Sequence, residues 1–218
     1  MSTLRTPALI AAASLVGLLT LSACATVSDA PPPASSDAPT GDGVRAWESA
    51  PPEGEVVGTG TVMDVDGTVE FCMGAIAESY PPQCTGIPIE GWSWDGVDGA
   101  EASDSIRWGA YALTGTYDGS AFTVTGEPML LALYDPIASE DPTGGEAGAA
   151  TEAELLEIQE ELPARFGENS GGYLGSYPEN ARLWVDVVWD DGTLQQAADD
   201  DYGEGVVIIR SALRAVEG

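Results

Sequence analysis

From Glu53 to about Pro136, glycine, aspartate and proline cut the chain into short apolar-rich runs, which leaves room for strands and for one helix at most. Val56 to Met63, Thr68 to Met73, Ile87 to Trp94, Ile106 to Thr116 and Ala121 to Leu133 read as five strands. Asp66-Gly67 and Asp118-Gly119 fall between runs and suit tight turns, because glycine reaches positive φ at little steric cost. Five short strands bury their edges best by closing on themselves, so residues 53–136 are expected to form a small β-barrel, OB-like in size and strand count. The order of the strands is not legible at this level.

Residues 137–150 have the composition of a linker, with Pro142, Gly144 and Gly145. A helix then begins with Thr151 as N-cap and Glu154 completing a capping box, and Leu155, Ile158 and Leu162 share one face. Pro163 is expected to stop or kink it. After a glycine-rich loop, Leu183, Val185 and Val187 alternate as a strand, and Asp190-Asp191-Gly192 turns the chain. Thr193 caps a short helix ending at Gly203, and Val206 to Leu213 is the last strand. Residues 151–218 thus read as a small α-β-α-β unit that leans on the barrel for burial, and the whole chain as α+β.

The first residues carry an address. Arg5 gives a short positive start, Ala8 to Leu21 is an apolar run too short to span a bilayer, and Leu21-Ser22-Ala23-Cys24 closes it with small residues before a thiol. This resembles a bacterial lipoprotein signal with its lipobox. The resemblance implies that 1–23 is a signal peptide, that the Cys24 thiol receives a diacylglycerol, and that acyl chains hold the mature protein on the extracytoplasmic face of the cell membrane. The alternative is an ordinary secretory signal with Cys24 left over, and it also places the mature chain outside the cytoplasm. Residues 24–52, with Pro31-Pro32-Pro33 and little to bury, read as a disordered tether, of which only Val44 to Trp47 is expected to dock, on the barrel.

Outside the cytoplasm thiols oxidise, so Cys72 and Cys84 are expected to form a disulfide across a loop between two strands. A metal site is the alternative, but zinc takes four Cys, His or carboxylate ligands and this chain has no histidine. The Phe71-Cys72 and Tyr80-Pro81-Pro82-Gln83-Cys84 segments, Gly91-Trp92-Ser93-Trp94, the Gly115 to Gly119 turn and Tyr202 to Val207 followed by Ser211-Ala212-Leu213 are similar to pieces of lipoproteins and secreted proteins of high-GC Gram-positive bacteria. That resemblance supports the address and implies no activity.

The formal net charge is -29, with seven arginines and no lysine. Such a chain repels nucleic acid and anionic lipid headgroups, so nucleic-acid binding is excluded. Without histidine there is no Ser-His-Asp triad, and without lysine no Schiff base or P-loop. Carboxylate chemistry survives, and Glu90, Asp95 and Glu101 are the acids for a glycosidase-like pair, with Trp92 and Trp94 two apart on one strand face to stack on sugar rings. Asp199-Asp200-Asp201 lies near the end of a helix, where the dipole disfavours negative charge, so calcium held with Asp190, Asp191 or Glu204 is a second candidate. Asp64-Val65-Asp66-Gly67 is a weaker cation candidate. The preferred reading is a non-enzymatic binding or structural role at the cell envelope with a protein or glycan partner and no cofactor, using Trp92, Trp94, Trp108 and Tyr111 in a crevice between the two units.

Overall fold

The structure is a computed structural model and describes residues 46–136, 141–167 and 172–216. The signal segment, Cys24, the tether up to residue 45 and residues 137–140 of the linker lie outside the described residues. The first two strands, β1 (Val56–Val65) and β2 (Thr68–Cys72), form a hairpin. Its turn places Asp66 at φ 54° and Gly67 at φ 86°, the left-handed pair that a two-residue hairpin requires. Next come β3 (Ile87–Glu90), β4 (Glu101–Ser103), β5 (Ile106–Tyr117), β6 (Phe122–Val124) and β7 (Met129–Leu130).

Five of these strands close a ring in the order β1-β2-β3-β6-β5 and back to β1. The β3–β6 pair is parallel and the other four are antiparallel. Closure comes from β1 and β5, which pair from Val56 opposite Gly115 to Val65 opposite Ile106. Alternation then sorts the faces: Tyr111 and Leu113 of β5 join Val56, Val62, Phe71, Ile87 and Phe122 in the interior. Two expected strands are shorter than their apolar runs. The run 87–94 leaves the sheet after Glu90, and the run 121–133 is broken into β6, β7 and a 3₁₀ turn over Leu131–Leu133. The break follows the backbone: the amides of Thr125 and Gly126 both donate to the Thr114 carbonyl, at 3.0 and 3.2 Å, which takes the chain off the ladder.

Helix α1 (Glu152–Phe166) starts with the full capping box at Thr151 and Glu154, and it continues through Pro163. Proline removes one donor in the final turn, too late to end the helix. Hydrogen bonds from the Thr151 backbone and side chain hold the Glu154 carboxyl below its ordinary range, so this contribution is present at neutral pH and is lost as pH falls through the lowered value. Leu155 and Leu162 are buried, as their spacing required.

The rest of this part differs from the expected α-β-α-β order. An extra strand, β8 (Tyr173–Glu179), precedes β9 (Arg182–Val187), α2 (Thr193–Tyr202) and β10 (Val207–Ser211), giving α-β-β-α-β with sheet order β10-β9-β8. Gly175 and Pro178 disguise β8 in the sequence; both are tolerated because β8 is an edge strand with an irregular register between Tyr173 and Gly175. Thr193 is the first residue of α2 and not its cap. The Asp190 carboxylate caps it instead, accepting from the amides of Gly192 and Leu194 at 2.9 Å.

Both edges of this sheet are closed by glutamine amides. Gln195 of α2 donates to the Val207 carbonyl (3.0 Å) and accepts from the Ile209 amide (2.8 Å), standing where a fourth strand would pair. Gln159 of α1 donates to the Ser176 carbonyl at 2.7 Å. The last strand, β11 (Arg214–Ala215), returns to pair with Val56 and Val57 of β1, and Val188 and Leu213 are buried in the barrel cluster. Trp47, expected on the barrel, is instead buried with α1, α2, β9 and β10.

Replacing Gln195→Ala leaves two strand-edge groups without partners. It should lower the unfolding free energy by about 2 kcal/mol and speed hydrogen exchange at the Ile209 amide. Chemical denaturation and exchange mass spectrometry test both. Converting Cys72 and Cys84 to serine should cost about 3 kcal/mol in the same denaturation assay, through the freed loop between them.

Candidate functional site

The disulfide joins Cys72 and Cys84. Cys72 points outward from β2, and the loop it closes packs on the outside of the barrel, where Trp108 and Met63 are buried with it. Tyr80 lies edge-on to Trp108 at 5.6 Å between ring centroids. Trp108 is therefore a covered surface residue.

The other three aromatics meet inside. Gly91, at φ 71°, turns the chain out of β3, so Trp92 and Trp94 lie in a loop and not on a strand face. They still converge, with ring centroids 5.0 Å apart and planes at 87°, because both pack on Tyr111, at 5.4 and 6.4 Å. Polar ends fix the cluster. The Trp94 indole N–H donates to Asp64 Oδ2 (2.9 Å), the Arg107 guanidinium lies 4.6 Å over the Trp94 ring, and the Tyr111 hydroxyl donates to the Asp98 carbonyl (2.9 Å). Burial pushes the Tyr111 phenol above its ordinary value, with the Arg107 charge working against it, so it stays a neutral donor. The Trp92 indole N–H is buried without a hydrogen-bond partner. These residues plug the end of the barrel where β1 and β3 finish and β5 begins.

The candidate acids are dispersed. Glu90, Asp95 and Glu101 are exposed on β3, the plug loop and β4. Asp199, Asp200 and Asp201 diverge around α2. Asp199 accepts from Gln195 and from the Gly205 amide, both at 3.0 Å, while Asp201 accepts from the Trp47 indole and pairs with Arg165 at 3.0 Å. Asp190 and Asp191 serve the start of α2. Asp64 is held by Trp94 and by the Gly67 amide. Among the described residues no group of three or more acids or cysteines converges on a metal-sized space.

Concave surfaces among the described residues include two of more than 600 Å³. One, of about 760 Å³, is lined by alanines, Ile158 and Val206, by Glu154, Glu157, Glu161 and Glu204, and by Arg182, which is held by the Glu146 and Gly205 carbonyls. The other, of about 660 Å³, is the crevice between the disulfide loop and the start of β8, lined by residues 74–77, 83–86, Tyr173 and Leu174. None of the four expected aromatics lines either. The sequence carried no signal for these surfaces, because the first needs the 146–150 segment against α1 and the second needs the unforeseen β8.

Four of the arginines among the described residues are engaged within the chain: Arg107 on Trp94, Arg165 on Asp201, Arg182 on two carbonyls and Arg210 on Asp186 at 2.6 Å. The surface acids therefore repel one another with little compensation, and screening should relieve this. The melting temperature is expected to rise by several degrees between 10 mM and 500 mM sodium chloride, measured by calorimetry. An Arg107→Gln change should lose about 1 kcal/mol in denaturation and red-shift the tryptophan emission as the plug loosens. No family model, no curated protein and no solved structure matches this chain, so its barrel, plug and grooves stand as findings of its own residues.

Proposed function

We propose that this is a non-enzymatic, lipid-anchored protein of the extracytoplasmic membrane face, with a binding or structural role in the envelope. The observation that carries it is the Cys72–Cys84 disulfide, which belongs to an oxidising compartment and leaves Cys24, at the end of its apolar run, as the one remaining cysteine of the sequence. We also read the barrel as OB-like: numbered within the ring, its strands close as 1-2-3-5-4 with the third and fifth parallel, the Trp92–Trp94 plug sitting at one end.

A carboxylate hydrolase gains no support from acids scattered over the outside. A sugar platform gains none from indoles packed on Tyr111. What favours a protein partner with cationic groups is the acid-walled surface along α1, together with arginines that already have internal partners.

Cys24→Ser should move the protein from the membrane fraction to the medium or periplasm, or leave it as an uncleaved precursor. Intact mass of the wild type should begin at Cys24 and carry diacylglycerol. A wild-type chain that keeps Met1, or a Cys24→Ser chain that has lost residues 1–23 and still fractionates with the membrane, would overturn the anchor.

A further inference from the structure

Residues 46–50 belong to no strand or helix, yet Trp47, Glu48, Ser49 and Ala50 are each bonded to residues of the α/β part. Trp47 is 4% exposed, with its ring edge-on to Phe166 at 5.5 Å and to Tyr202 at 6.0 Å. Its backbone N–H donates to the Arg165 carbonyl at 2.7 Å, and its indole N–H donates to Asp201 Oδ2 at 2.9 Å. Asp201 is itself held by the Arg165 guanidinium at 3.0 Å, so the acceptor is oriented by a partner on α1. The Glu48 carbonyl accepts from the Thr193 hydroxyl at 3.0 Å, Ser49 and Asp191 exchange hydrogen bonds at 3.1 Å, and the Ala50 carbonyl accepts from the Trp189 indole at 3.0 Å.

This is how a groove holds a peptide: one buried aromatic anchor, a charged acceptor for its polar atom, and main-chain hydrogen bonds at the anchor and after it. The chain that follows has the character of a hinge. Pro51, Glu53 and Gly54 are exposed, and nothing approaches the position a Gly54 side chain would take. We propose that residues 46–50 are a ligand bound in cis, a detachable strap in a peptide-recognition groove between α1 and α2 whose recognised side chain is tryptophan. The occupant is this chain's own segment, favoured by its high effective concentration next to the groove. Undocking releases residues 46–54, up to Glu55, whose carbonyl accepts from the Val216 amide, and that stretch can span about 30 Å when extended. How far that moves the barrel from a membrane rests on the anchor reading; the docking does not.

The test uses the full chain with Trp47→Ala and a synthetic peptide of residues 44–52. The variant should melt lower than the wild type. The peptide should bind it saturably and recover most of the lost melting temperature, while a peptide with alanine at the Trp47 position should not. The wild type should bind the peptide at least tenfold more weakly, because its own strap competes. Failure of the peptide to bind the variant, or equal binding to both chains, overturns the proposal. Should Trp47→Ala not fold, a wild-type chain with a protease site inserted after Gly54 replaces it. After cleavage the strap should stay bound and then exchange for labelled peptide, and a cleaved strap that never exchanges, or that is lost at once with no replacement by peptide, also overturns it.

Discussion

The pairing of β1 with β5 over ten positions is the constraint on which everything else in the barrel depends. It joins segments some fifty residues apart in sequence, so the loop entropy of closing the ring must be met by contacts that form together. Once it forms, each remaining feature of the barrel has a place: the disulfide loop outside β1 and β2, the tryptophan plug at one end, and β11 beside the first residues of β1. The return of β11 and the burial of Val188 and Leu213 tie the α/β part into the same core, so the barrel is completed by the last residues described as much as by the first.

Polar side chains do the joining that hydrophobic burial cannot. The three-stranded sheet is small, and an open edge on it would invite pairing with another chain. Gln195 and Gln159 supply side-chain amides to those edges, and Asp190 does the same for the free amides that begin α2. Arg107, Arg165, Arg182 and Arg210 work in the same way, against an aromatic ring, a carboxylate or a carbonyl nearby. With these arginines engaged within the chain and a formal net charge of -29, the balance of charge is strongly anionic.

Much of the local structure was legible because it depends on neighbours in sequence. The capping box at Thr151, the Asp66-Gly67 turn and the end of α2 at Gly203 all rest on contacts within about four residues, and the spacing of Leu155 and Leu162 marks the face of α1 that is buried. Reading failed where a distant partner decided the outcome. Trp92 and Trp94 look like a strand face, yet Tyr111 draws them into a plug once Gly91 has turned the chain. The acidic triplet at Asp199 to Asp201 looks like a cation site until Arg165, Trp47 and Gly205 arrive from elsewhere to take up two of its carboxylates. β8 was hidden because an edge strand accepts glycine and proline that a central strand would reject.

By itself the sequence determined the element types with strong local signals, the pairing of the two later cysteines, the charge, and the chemistries that a chain without histidine or lysine cannot perform. Each of these follows from residue identity or short-range spacing. Tertiary structure alone decided the strand order, the fate of every candidate aromatic and acid, and the docking of Trp47 between the two helices. Those outcomes turn on which distant groups meet, and a side chain's role as plug, cap or ligand is set by the partner that reaches it.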